Sequence, residues 1–363
     1  MNKSHIINIK SRCIKPIKFN TLSRLLILNA LAAGLAACGG GGGGDPVAAP
    51  LVPTPVAKTC APVTGPADPL YGDQWHLKNN GTPSGTAGED VNVESLWNTL
   101  CGLDITIAVV DSGVEIAHED LAANVVSGGS HNYGNNSNDP TSTAVAHGTS
   151  VAGVAAAVGF NGIGVRGAAH GAQLVSYNAV EHLTTANEAD AMVRGKASVD
   201  ISNNSWSNQD DDGVLVPESA TWSAAIEDGI TTGRSGKGIN YFWAGGNGRK
   251  IKDTTHPFAN STEAQLIALG FFESDNSNYD GQASYHGVNA VAALNDLGKQ
   301  ASYSESGANI LISSPAGEFC DDPSPTANAT TTVDLSGTLG DNNNGKNGTD
   351  TDYPNDNYTK CFN

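Results

Sequence analysis

Basic residues are scarce in this chain. Nineteen lysines and arginines stand against 37 acidic residues, for a formal net charge of −18. Six of the nineteen (Lys3, Lys10, Arg12, Lys15, Lys18 and Arg24) fall in the first 37 residues, where no acidic residue occurs. No basic stripe follows, so nucleic acid is excluded as a partner. The acidity fits a soluble extracytoplasmic protein, or one that collects divalent cations, and is equally met by a solvated acidic surface. Long apolar runs are also lacking: the run from Leu25 to Ala37 is too short and too rich in small residues for a membrane span. Metal-ligand spacings are missing too. No two cysteines form a CxxC pair. His76, His118, His131, His170, His182, His256 and His286 show no HxxxH spacing and read as surface or loop histidines. There is no internal repeat.

What is present begins with a basic segment and a short apolar run, which read as a signal peptide over residues 1–37. It ends "LAAC", Leu35 to Cys38, which resembles the bacterial lipobox. The resemblance implies a lipid on Cys38 and anchorage at the outer membrane or cell surface of a bacterium. Residues 38–65 form a tether, with six glycines (39–44) and then a Pro/Ala-rich stretch. Cys60, Cys101, Cys320 and Cys361 are left, an even set that argues for two disulfides in an exported chain. Three pairings are possible. Cys60–Cys101 and Cys320–Cys361 are favoured because sequence-local pairs close most easily.

Residues 66–363 read as one domain. Apolar, β-branched runs at 104–111, 172–180, 200–207, 239–247, 287–294 and 308–317 predict strands. Helical patterns cover 147–158, 187–197 and 218–232. Strands that alternate with helices and are apolar on both faces predict an α/β fold with a mainly parallel, doubly covered sheet. Chemistry in such sheets sits at the carboxyl ends of strands. Residues 321–360, rich in Asp, Asn, Thr, Gly and Pro, are expected to be a surface loop insertion. The segment "GIGVRG" (162–167) satisfies G-x-G-x-x-G but follows a helix, which excludes the dinucleotide reading.

Asp111 ends a buried strand, His147 opens a helix, and later strand ends carry Ser202–Ser207 and Gly245–Asn247. An aspartate that orients a histidine base is half of a Ser-His-Asp mechanism, and the order Asp before His is that of subtilisins. "VVDSGVEIAHEDL", "HGTSVAG", "NNSWS" and "AGGNG" together resemble the landmark blocks of subtilisin-like serine proteases, with a three-layer αβα fold. "DPLYGDQWHL", "DDG" and "YSE" are similar to the kexin/furin-like branch. The resemblance spans about residues 66–363. It implies that Asp111 orients His147, that His147 is the base, and that Asn247 donates to the oxyanion. Main-chain groups of Ser205, Trp206 and Ser207 would pair with extended substrate. Ser150 belongs to the histidine motif. It shares a helix turn with His147, which leaves no room for substrate between them.

The resemblance also implies Ca2+. One set is Asp68, Asp120, the side chain of Asn161 and the carbonyls of Val158, Ile163 and Val165; a second is Asp211, Asp275 and Glu305. Asp211 and Asp280 would line a pocket for the residue before the scissile bond, giving cleavage after basic residues. One extra residue in "SWSNQDDDG" leaves the register of Asp211 against Asp212 open. The family pattern would place its Gly-Thr-Ser nucleophile motif just where this sequence stops. The expectation is therefore a fold incomplete at the C-terminus, from an incomplete gene model, a disrupted gene or a pseudoenzyme that only binds peptides. No segment of propeptide size lies between Cys38 and Asp68, so folding is unaided or uses a helper in trans.

Overall fold

The computed structural model describes residues 60, 65, 67–81, 85–210, 213–249, 265, 275–318, 328–337, 340 and 357–362. Seven strands form one sheet: β1 (Thr106–Asp111), β2 (His131–Asn132), β3 (Gln173–Asn178), β4 (Ile201–Asn204), β5 (Asn240–Ala244), β6 (Val288–Leu294) and β7 (Ile310–Pro315). Their spatial order is β2-β3-β1-β4-β5-β6-β7, and neighbouring strands pair in parallel. The six expected strands are all there, each trimmed by a few residues. The two-residue β2 is an addition too short to leave a periodic signal.

Among the described residues, helices α1 (His147–Ala156), α2 (Thr185–Val193) and α3 (Ala220–Gly236) flank the sheet. Thr184 caps α2 by accepting from Asn187 N–H, and Ser219 caps α3 by accepting from Trp222 N–H. The helical φ/ψ of α3 breaks at Gly233. Strand β1 is buried along its whole length, and alternate residues serve different layers. Ala108 and Val110 pack with Met192, Trp222, Ile226 and Trp243 on the α2/α3 face. Ile107 and Val109 pack with Val151, Ala152 and Val333 on the α1 face. This is the predicted α/β architecture, with one core on each side of the sheet.

The expected surface loop at 321–360 needs correction in its described parts. Thr330–Val333 forms β8, buried at all four residues, and pairs antiparallel with β9 (Tyr358–Phe362) against α1. Its threonines read as polar, yet their hydroxyls are satisfied inside. Thr332 Oγ1 donates to the Ser150 carbonyl at 2.9 Å and Thr330 Oγ1 to the Ala316 carbonyl at 2.8 Å. Cys60 and Cys101 form a disulfide with a Cα separation of 5.7 Å. Cys38, Cys320 and the side chain of Cys361 lie outside the described residues. Of the histidines expected at the surface or in loops, His76, His118 and His170 lie in loops but are buried, and His131 is buried on β2. Aromatic neighbours pack against them: Trp75 beside His76, Tyr358 beside His118, Tyr133 beside His131, Trp97 and Phe160 beside His170.

Candidate active site

Asp111 is the last residue of β1 and His147 the first of α1. His147 Nδ1 lies 2.9 Å from Asp111 Oδ1 and 3.0 Å from Oδ2. The aspartate side chain is 2% exposed and the imidazole 38% exposed, so the pair is anchored inside and open at the ring. The neighbouring backbone fixes it. Ser112 N–H donates to Asp111 Oδ1 at 2.7 Å, and Gly148 N–H donates to Ser112 Oγ at 3.2 Å. Gly148 must be glycine, because a Cβ there would strike the Gly113 carbonyl and crowd Asp111. The His147 ring also lies 5.4 Å from the Phe362 ring.

Ser150 is buried and donates its hydroxyl to the Val333 carbonyl at 2.9 Å. It is a structural link between α1 and β8. Ser205, Trp206 and Ser207 follow β4, and Asn247 is exposed just beyond β5. Asp111, Ser205 and Asn247 thus stand at the carboxyl ends of three adjacent strands. Trp206 is braced edge-on by Trp243 at 4.6 Å. Beside these loops runs a cleft of about 370 Å³ lined by Val154, Ser205, Phe242, Val291, Ile312 and Phe362, among others.

A second, much tighter cavity is acidic. Asp210, Asp275, Asp280 and Glu305 all line it. Asp280 Oδ2 accepts from Asn208 N–H at 3.0 Å, and its Oδ1 accepts from Gln282 and Ala283 N–H at 2.8 and 3.2 Å. Burial raises its pKa, and these bonds oppose the rise. Burial pushes Glu305 up to about 8; the Gly248 N–H bond opposes this, and Asp275 and Asp210 add to it. Gly246, at φ +97°, has no room for a Cβ against the Glu305 carboxylate. Asp211 lies outside the described residues. Asp210 was missed by sequence reasoning, since a run of three aspartates offers no internal mark of register. Its neighbour Ser207, whose Oγ donates to it at 3.0 Å, ties it to the motif loop.

The calcium sets fare differently. Asp68, Asp120, Asn161, Ile163 and Val165 do meet around the loop after α1, but the loop turns N–H groups toward both carboxylates. Asp68 accepts from Phe160, Asn161 and Gly162 N–H and from Arg166 Nε; Asp120 accepts from Val165 N–H and Asn161 Nδ2. Val158 N–H and Ile163 N–H are also donors here, to the Asp120 carbonyl and Asn161 Oδ1. That donor set does not fit a hard cation. The acidic cavity fits one better, because repelling carboxylates face a common space. Even so, no group of three His, Cys, Asp or Glu side chains among the described residues is drawn together to metal-holding geometry.

Residues 102–361 match the subtilase family, peptidase S8. Kexin of Saccharomyces cerevisiae is 31% identical over 263 residues, covering 69% of this chain and 29% of kexin. Proprotein convertase subtilisin/kexin type 7 of Homo sapiens is 31% identical over 251 residues, covering 67% of this chain and 29% of that protein. The chain spans about a third of the length of the curated relatives it matches. Among solved structures, the serine protease of Aeromonas sobria superposes with a TM-score of 0.67 at 30% identity, covering 85% of this chain and 53% of that one. The same protease in complex with its chaperone gives 0.65 at 30% identity, covering 82% and 51%.

Proposed function

This chain belongs to the subtilase family, and on that premise we propose that it is a serine endopeptidase that cleaves protein chains after basic residues. The observation that carries the reading is the His147–Asp111 pair, buried at the aspartate and open at the ring. With Nδ1–H donated to Asp111, Nε2 is left as the base, and the buried carboxylate stabilises the imidazolium that forms. A serine hydroxyl attacks the scissile carbonyl while its proton passes to Nε2. The same proton then goes to the leaving amine. The Asn247 side chain donates to the oxyanion. Ser205, Trp206 and Ser207 supply main-chain groups to extended substrate. The nucleophile of this reading is not Ser150.

Asp280, with Asp210 or Asp211, faces the residue before the scissile bond. Two partly desolvated carboxylates favour a cation, and arginine most, because its planar fork meets both. Ca2+ held by Asp210, Asp275 and Glu305 would supply positive charge that quiets their mutual repulsion and stiffens the pocket wall. The sequence alone supports export and a lipid on Cys38. Loss of detergent-phase partitioning in Cys38→Ser is the expected result, and equal partitioning of both proteins rejects the anchor. A folding helper in trans is supported by the chaperone complex of the Aeromonas sobria protease.

The main test uses the natively expressed protein, a serine-directed phosphonate probe and peptide mapping. A label on a serine other than Ser150, lost in His147→Ala, together with cleavage after Arg or Lys in a peptide library, is expected. A label on Ser150 overturns the reading. Absence of any label with retained peptide binding would make the protein a peptide-binding pseudoprotease.

A further inference from the structure

The loop that the family resemblance offers as a calcium site is built here around a different cation. Arg166 is almost wholly buried, and its Nε donates to Asp68 Oδ2 at 2.7 Å. Its guanidinium lies 3.6 Å from the centroid of the Phe160 ring, 4.3 Å from that of Tyr71 and 4.9 Å from that of Trp97. Its backbone is clamped as well: Arg166 N–H donates to Gln74 Oε1, and Gln74 Nε2 donates to the Arg166 carbonyl, both at 2.8 Å. A buried guanidinium with a carboxylate partner and aromatic faces is a complete cation site.

Asp68 is saturated by the same arrangement. A carboxylate offers about four lone-pair positions. Oδ1 accepts from Asn161 and Gly162 N–H at 3.0 and 3.2 Å; Oδ2 accepts from Phe160 N–H at 2.9 Å and from Arg166. Phe160 and Gly162 adopt positive φ, +60° and +77°, which curls successive N–H groups into a concave nest for an anion. A metal ion would have to displace those donors and sit beside a fixed positive charge.

We infer that the 158–165 loop is held by an internal cation, the Arg166 guanidinium gripping Asp68, and takes up no calcium. The test is thermal unfolding of the full chain carrying Asp275→Asn and Glu305→Gln, which removes the acidic cavity as a calcium site. Its Tm should be the same in millimolar calcium and in excess chelator; a rise of several degrees with calcium, abolished by Asp68→Asn, overturns the inference. Terbium supplies a second readout, since an ion at Asp68 would be excited by Trp97. Emission from the otherwise unmutated protein should be unaffected by Trp97→Phe, and its loss would place a metal at this loop. Finally, Arg166→Lys should keep more of the wild-type Tm than Arg166→Met. An Arg166→Met protein as stable as wild type would show that the guanidinium does not hold the loop.

Discussion

Ser150 donates its hydroxyl to Val333 and accepts Thr332 Oγ1 at its own carbonyl, so both partners lie on β8. Ser150→Ala is expected to lower stability by about 1–3 kcal/mol, the cost of leaving a buried carbonyl unpaired. It should leave phosphonate labelling unchanged. Urea midpoints and labelling measured on the same preparation separate the two effects. Asp111→Asn should act oppositely, sparing the fold while kcat drops about 10⁴-fold, because the carboxamide no longer holds the required imidazole tautomer. KM should barely move, and a kcat within tenfold of wild type would remove Asp111 from the mechanism. Both residues were legible in the sequence, one as a polar end to a buried strand and the other inside a glycine-bearing motif. Asp210 was not, for lack of register in an aspartate run. Nor was Arg166, whose carboxylate partner lies 98 positions away.

Glycines set the distance between α1 and its neighbours. A Cβ on Gly153 would collide with Thr332 Oγ1 and Val333 Cγ2 of β8, whereas a Cβ on Gly72 meets nothing within 4 Å. Gly153→Ala is therefore expected to destabilise by about 1–3 kcal/mol through overpacking, despite the better helix propensity of alanine. Gly72→Ala should be neutral or slightly stabilising. Equal denaturation midpoints for the two variants would mean that β8 is not packed against α1 as described. Strands such as β1 were readable because they are apolar on both faces, as burial in a parallel sheet demands, whereas β4 (Ile-Ser-Asn-Asn) shows only through the motif that follows it. Strand β8 was not: its partner lies some 28 residues on in β9, and its burial is carried by threonines whose hydroxyls are satisfied by distant carbonyls.

The molecule as a whole combines a strongly acidic composition with buried neutral histidines, and the two set its response to acid. His76 is fully enclosed and burial lowers its pKa to about 4; His170, packed against Trp97 and Phe160, is likewise lowered to about 4, by burial first and by Arg166 second. Neither ring finds a hydrogen-bond partner for its nitrogens among the described residues. In the unfolded chain both return to about 6.5. The unfolded state then binds more protons between the two values, so stability rises with pH across that window. The contribution is complete above about 6.5 and is lost as pH falls toward about 4. At pH 5 each histidine should cost on the order of 2 kcal/mol relative to pH 7. Asp120 and Glu305 carry raised values, about 7 and about 8, and oppose the trend, because a proton on either relieves the fold. The decisive comparison is therefore between variants at matched pH, where the carboxylate contributions cancel. The Tm difference between wild type and His76→Phe should move in favour of the phenylalanine protein as pH drops from 7 to 5. A difference that stays flat over that range would mean that His76 is charged or solvated in the folded protein.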